Sequence, residues 1–228
     1  MSDERLIVAL DHGALAPALA LADRLGDLVG FYKVGLTLYT AAGPAAVTAL
    51  KERGKRVFLD LKLHDIPVQV GGAARAASAQ GVDLLTLHVA GGEVMMAAAA
   101  EAVRGTGTRL LGVTVLTSLA APDPGAIVAA ARRAVAAGLD GVVAAATEAG
   151  ALRTALGAGP LLVTPGIRLP GAAGDDQVRT GGPGEALRAG ASHLVVGRPI
   201  TGAADPRAAA REILAAMAGA AAPAVEGG

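Results

Sequence analysis

The sequence predicts an α/β fold, a (β/α)₈ TIM barrel, and three observations carry that expectation. Eight short runs rich in Val, Leu and Ile alternate with longer Ala-rich amphipathic segments along the chain. The runs are apolar almost throughout, so both faces of each strand are buried, as in a parallel sheet covered by helices. The 228 residues suit one such barrel, for which roughly 250 is typical. A doubly wound open sheet is the competitor, but it needs fewer strands and a Gly-rich turn after the first. Here the first strand runs into Asp11-His12-Gly13 instead.

Taken in order, the strands are expected at residues 6–10 (LIVAL), 31–35 (FYKVG), 57–61 (VFLDL) and 84–89 (LLTLHV), then at 110–116 (LLGVTVL), 141–145 (GVVAA), 161–164 (LLVT) and 193–196 (HLVV). Helical patterns fill the gaps, for instance 15–25, 44–52, 68–80, 124–137 and 206–218. Pro67 suits the first turn of a helix, where its missing N–H costs nothing. Residues 168–184 (RLPGAAGDDQVRTGGPG) form a long polar Gly/Pro-rich segment between the seventh and eighth strands. A loop that long inside a compact domain is usually functional or mobile. Residues 1–219 are read as one barrel domain and 220–228 as a frayed tail.

Composition narrows the function classes. Hydrophobic residues make up 53% of the chain, enough for a sizeable core, while aromatics supply only 2% and much of the rest is Ala. A formal net charge of zero argues against a nucleic-acid surface. The absence of cysteine removes disulfides, thiolate nucleophiles and zinc–thiolate sites. The N-terminal MSDERLIVAL enters a strand at once, without a secretory pattern, and charges interrupt every Ala-rich stretch that might otherwise span a membrane. A cytoplasmic protein with no membrane partner is expected.

The most informative stretch is DLKLHDIP (60–67), which packs Asp60, Lys62 and Asp65 against the end of an apolar strand. Asp60 and Lys62, two residues apart, project from one face of a strand. An ordinary ion pair capping the strand is one reading. Burying unpaired ions costs several kcal/mol each, so a site is the other reading, and this stretch alone does not decide between the two. Lys33, in the middle of FYKVG, has both strand faces covered and must point into the barrel or its mouth. Catalytic groups of such barrels sit at the C-terminal strand ends, which here carry Asp11, Lys33, Asp60, Lys62, His88, Thr117, Ser118, Pro165, Arg168, Gly197 and Arg198. Each contact between opposite charges about 4 Å apart is worth roughly 4 kcal/mol at an effective dielectric near 20, before desolvation. Gly197 and Arg198 follow the eighth strand, where barrels often hold phosphate, and Gln177 in the long loop is a candidate lid donor. A phosphate ester substrate is expected.

Other chemistries fit less well. His12, His64 and His88 fall near strand ends but form neither HxH nor HExxH, so no metal site is assigned, although carboxylates and water would still permit magnesium. Ser118 lacks a GxSxG setting and reads as a hydrogen-bond donor to substrate.

Taken together, VALD (8–11), KVG (33–35), DLKLHDIP (60–67), LHVAGG (87–92), VTVLTS (113–118), TPGIR (164–168) and GRPIT (197–201) resemble the orotidine 5′-phosphate decarboxylase family nearly end to end. DxKxxD is shared with a wider suprafamily of sugar-phosphate lyases and decarboxylases. The HDIP continuation, the LTS and the PGIR-to-Gln177 loop look like the orotidylate branch. The resemblance implies decarboxylation of orotidine 5′-monophosphate to UMP with no cofactor. By the same resemblance Lys62 protonates C6 of the pyrimidine, Asp60 crowds the substrate carboxylate and fixes Lys62, and Lys33 completes the network. Asp65 and Ile66 are implied to reach the partner's site in an obligate homodimer. Asp11 is implied to hold ribose, Ser118 the pyrimidine edge, and Gln177, Gly197 and Arg198 the phosphate. Arg168 is implied to support the lid, while Thr117 and Pro165 border the base. The family usually continues HDIP with Asn-Thr, whereas this chain has Val68-Gln69, which alters a ribose contact at Gln69. The rival readings are a magnesium-dependent sugar-phosphate lyase or decarboxylase and a barrel that only binds a nucleotide phosphate.

Overall fold

The computed structural model describes residues 3–115, 123–169 and 181–220. Eight parallel strands close into a barrel in sequence order. They are β1 (Leu6–Ala9), β2 (Phe31–Gly35), β3 (Arg56–Leu63), β4 (Leu84–His88), β5 (Arg109–Val113), β6 (Gly141–Val143), β7 (Leu161–Thr164) and β8 (His193–Val196). β8 returns to β1 through the pairs Leu6–Leu194, Ile7–Val195 and Val8–Val196, so no edge is left open. Around them run α1 (Leu15–Leu25), α2 (Leu36–Ala42), α3 (Ala45–Glu52), α4 (Pro67–Ala79) and α5 (Glu93–Ala102), followed by α6 (Pro124–Ala136), α7 (Ala149–Leu156), α8 (Pro183–Arg188), α9 (Arg198–Thr201) and α10 (Pro206–Ala218).

The period of two along each strand divides the core. Ile7, Ala9, Phe31, Phe58, Leu84, Leu111, Val163 and Val195 fill the interior. Their neighbours Val8, Tyr32, Leu59, Leu85, Val142 and Leu194 face the helices. The chain has only two phenylalanines, and both lie in the lumen. Truncating one such buried Phe to Ala costs about 3–5 kcal/mol. Gly141 lets β6 and β7 approach, since a Cβ there would stand 2.1 Å from the Leu161 carbonyl oxygen. At the N-terminal end His193 meets Phe31 edge-on with centroids 6.0 Å apart, and the Arg56 guanidinium lies 4.2 Å from the Phe31 ring centroid.

The expected elements differ from the observed ones mainly at their ends. β5 and β6 stop earlier, at Val113 and Val143, and β3 runs two residues further, to Leu63. Its extension contains an irregularity: Leu59 pairs with Leu85 and the next pair is Leu63 with Leu87. Four residues of β3 therefore advance against two of β4. Within this bulge Lys62 has φ of 52°, and it is the one non-glycine residue with positive φ among those described. Pro67 does begin α4, at the first helical position. Of the expected tail, Ala220 is buried and its N–H donates to Met217 O; residues 221–228 lie outside the described residues. Among the described residues no helix is long and apolar enough to cross a membrane.

Candidate active site

Inward-facing positions that are apolar deep in the barrel become charged at the C-terminal mouth. On β2 the sequence Phe31-x-Lys33 carries the change, and on β3 it is Phe58-x-Asp60. The outcome is an alternating chain of charge. Lys33 Nζ donates to Asp11 Oδ1 at 3.0 Å and stands 3.7 Å from Asp60 Oδ2, while Lys62 Nζ donates to Asp60 Oδ1 at 2.8 Å. Asp11 is largely exposed at the rim, but the Lys33 and Asp60 side chains are only 13% exposed, too little for water to screen them well.

Asp60 feels opposing influences. Burial would push its carboxyl up; Lys33 and Lys62, aided by hydrogen bonds from Lys62 and Thr86, outweigh burial and hold it below its usual 3.8. The Thr86 hydroxyl donates to Asp60 Oδ1 at 2.9 Å and accepts the Lys62 backbone N–H at 2.9 Å. Gly35 ends β2 beside the pair: a Cβ there would fall 2.8 Å from Lys33 Nζ and 3.2 Å from Asp11 Oδ1.

These groups line one cavity of ≈ 460 Å³, within the range of small-molecule sites. Asp11, Lys33, Asp60 and Lys62 line it together with Arg168, Gly197, Arg198 and Thr201, and a Cβ on Gly197 would lie 3.9 Å from Asp11 Oδ2. Val113, Val115, Val143 and Pro165 add an apolar surface that suits the flat face of a ring. Arg168 also donates to the carbonyl of Ile167 at 2.8 Å. The lining therefore combines a chain of both charges, two arginines and an apolar surface.

Asp65, Ile66 and Gln69 are not brought into that cavity. All three are exposed on the turn into α4, with Asp65 Oδ1 accepting the Ile66 N–H at 2.6 Å. Thr117, Ser118 and Gln177 lie outside the described residues. The His64 and His88 rings meet at 5.5 Å between centroids, and burial lowers the His88 pKa, helped by His64 and Lys62 against Asp60. Among the described residues no group of three or more His, Cys, Asp and Glu side chains is placed to hold a metal ion.

The sequence matches the model of the "Orotidine 5'-phosphate decarboxylase / HUMPS family" over residues 4–213. The chain belongs to that family. Its relatives include the orotidine 5'-phosphate decarboxylase of Anaeromyxobacter sp. (strain K), 51% identical over 94% of this chain and 98% of that protein. The enzyme of the same name from Moorella thermoacetica is 50% identical over 93% of this chain and 91% of its own length. Among solved structures, orotidine 5'-phosphate decarboxylase from Lactobacillus acidophilus superposes with a TM-score of 0.83 at 35% identity, covering 94% of this chain and 99% of that one.

For this member of the orotidine 5′-phosphate decarboxylase / HUMPS family, three residues at the site escaped sequence reasoning. Thr201 follows Arg198 in GRPIT and lines the cavity. Gly35 was visible only as part of KVG. Thr86 carried a usable signal, a lone hydroxyl in the middle of the buried run LLTLH, where an interior position would otherwise be apolar.

Proposed function

We propose that the protein decarboxylates orotidine 5′-monophosphate to UMP in pyrimidine biosynthesis. The observation that carries this reading is the alternating Asp11–Lys33–Asp60–Lys62 chain in a cavity that Arg168 and Arg198 also line. In this reading the phosphate sits against Gly197 and Arg198, the ribose hydroxyls against Asp11, and the pyrimidine against Pro165 and the valines. The C6 carboxylate then faces Asp60 and Lys62.

The C6–carboxylate bond breaks, its electron pair stays on C6, and CO₂ departs. No adjacent carbonyl can delocalise that pair by π overlap, so fixed positive charge must meet it where it develops, and the Lys62 ammonium supplies it. Lys62 Nζ gives a proton to C6, forming the C–H bond of UMP, and regains one from water. Asp60 holds the ammonium in place and repels the substrate carboxylate. Lys33 keeps Asp60 ionised by its proximity. The phosphate grip supplies binding energy remote from the reacting carbon, expressed when the substrate is drawn fully into the cavity.

The reading includes a homodimer in the cytoplasm. Leu36, Ile66, Val68 and Val94 are large exposed apolar side chains at the starts of α2, α4 and α5, which follow the adjacent strands β2, β3 and β4. Such a patch beside the cavity suits a second copy. In this reading Asp65 and Ile66, both exposed there, complete the partner's site, and Gln69 follows in the first turn of α4. Thr117 and Ser118 belong to the proposal as contacts of the base, and Gln177 as a contact of the phosphate.

The test follows the ultraviolet absorbance of orotidine 5′-monophosphate mixed with protein and EDTA, beside a Lys62→Ala control. Loss of substrate signal with the wild type alone supports metal-free decarboxylation at Lys62. No change with either protein overturns the reading.

A further inference from the structure

Asp60 is approached by three donors, and they differ in stiffness. Two are the ammonium groups of Lys62 and Lys33, each on a long side chain with several rotatable bonds. The third is the hydroxyl of Thr86, a β-branched residue with one χ angle, fully buried in the middle of β4. Only this donor has a location fixed by the barrel itself.

The same hydroxyl has a second partner. Because β3 advances four residues against two of β4 between Leu59 and Leu63, the regular ladder is interrupted at Lys62. Its backbone N–H, in the left-handed conformation, finds Thr86 Oγ1 at 2.9 Å in place of a strand carbonyl. One oxygen thus accepts from the backbone of the residue whose side chain is the reactive ammonium, and donates to the carboxylate that holds that ammonium. Thr86 is buried too deeply for water to take over either bond.

We infer that Thr86 is a positioning residue of this site, whose hydroxyl sets the Lys62 backbone and the Asp60 carboxylate in one fixed relation and so places the Lys62 ammonium at the reacting carbon. This rests on the decarboxylase reading for its kinetic consequence, though not for its structural one. The side chain touches no substrate and needs none to act. What it governs is orientation: without it the Asp60 carboxylate is held only by two flexible lysines, can turn about its last torsion, and the ammonium follows.

The experiment compares Thr86→Val, Thr86→Ser and Thr86→Ala. Thr against Val and Ser against Ala differ at the hydroxyl, so either pair poses the question if one variant fails to fold. The expected result is a loss of kcat of about 10- to 100-fold in Val and Ala, the scale of one hydrogen bond to a charged group. Ser stays within about threefold of wild type, since it keeps both hydrogen bonds. Affinity for UMP, which lacks the carboxylate, stays close to wild type in every folded variant. The carbon-13 titration of the Asp60 carboxyl moves up in Val and Ala and stays in Ser. That last readout requires no turnover, so it tests the clamp even if orotidine 5′-monophosphate proves not to be the substrate. Equal kcat across the hydroxyl pairs, or an Asp60 titration that ignores the hydroxyl, overturns the inference. A Ser variant as impaired as Ala overturns it too, by assigning the effect to the methyl group's packing.

Discussion

Acid should destabilise this protein through His193 well before its carboxylates protonate. His193 begins β8 at the closed end of the barrel and is only 8% exposed. Its Nδ1 is buried with no hydrogen-bond partner. Phe31 of β2 packs against the ring, Arg56 of β3 and Arg109 of β5 press positive charge on it, and Asp3 opposes them weakly. Burial first, and then the two arginines, lower its pKa from 6.5 to about 4. The unfolded chain therefore binds a proton near pH 6.5 that the folded chain refuses until about pH 4. The stabilisation is fully present above pH 6.5 and drains away as pH falls towards 4. At about 1.4 kcal/mol per pH unit, the whole window amounts to about 3 kcal/mol.

Urea unfolding at fixed protein concentration between pH 4 and 8 measures this, with His193→Leu as the comparison. Wild type should lose stability with a slope approaching about 1.4 kcal/mol per pH unit inside the window, and the Leu variant should lose most of that slope. A residue of slope should survive from His88, whose pKa burial also lowers. Asp60 contributes in a separate window: its stabilisation is present above 3.8 and is lost only as pH falls through its lower folded value. Parallel pH profiles for wild type and His193→Leu would refute the assignment.

Further outcomes follow from the site. Gly35→Ala sets a Cβ 2.8 Å from Lys33 Nζ at an ordinary negative φ, so the protein should fold with a nearly unchanged melting temperature while kcat/KM drops about 10-fold or more; intact activity would show the Lys33–Asp11 contact to be dispensable. In the proposed homodimer, mixing inactive Lys62→Ala and Asp65→Ala chains should restore about a quarter of wild-type activity, because half of randomly exchanged dimers would be mixed and each would hold one intact site; activity that stays at the sum of the two parents excludes shared sites. Lys62→Gly should be about 0.5–1 kcal/mol more stable than Lys62→Ala by denaturant unfolding, since φ of 52° suits glycine; the reverse order would mean that the backbone relaxes once the lysine is gone.

The barrel was legible because its signal is repeated. Each apolar run between Ala-rich segments reports the same burial on two faces, and a misjudged end such as that of β6 leaves the topology intact. The helix α2 was harder to see, because Leu36 follows Gly35 with no polar break between strand and helix. At the site, Lys33 and Asp60 were legible as charges at positions that should be apolar. Thr86 was less so: its lone hydroxyl in the apolar run LLTLH is a signal, but the high preference of threonine for strands masks it.

The bulge in β3 marks the point where sequence reasoning reached a correct neighbour by an incomplete route. Strict alternation puts Asp60 and Lys62 on one face, with both backbones held in the ladder. In the structure the two side chains do meet, at 2.8 Å, yet the backbone between them leaves the ladder and Lys62 enters the left-handed region. That conformation costs about 1–2 kcal/mol for a residue with a Cβ, and no pattern of residue types along β3 foretells it. Its compensation lies on the neighbouring strand, in a hydroxyl that β4 brings alongside. The decisive geometry thus belongs to a pair of strands and to neither alone. A reading along one chain segment finds the reacting groups, while the relation that makes them useful appears only when the barrel sets Thr86 beside them.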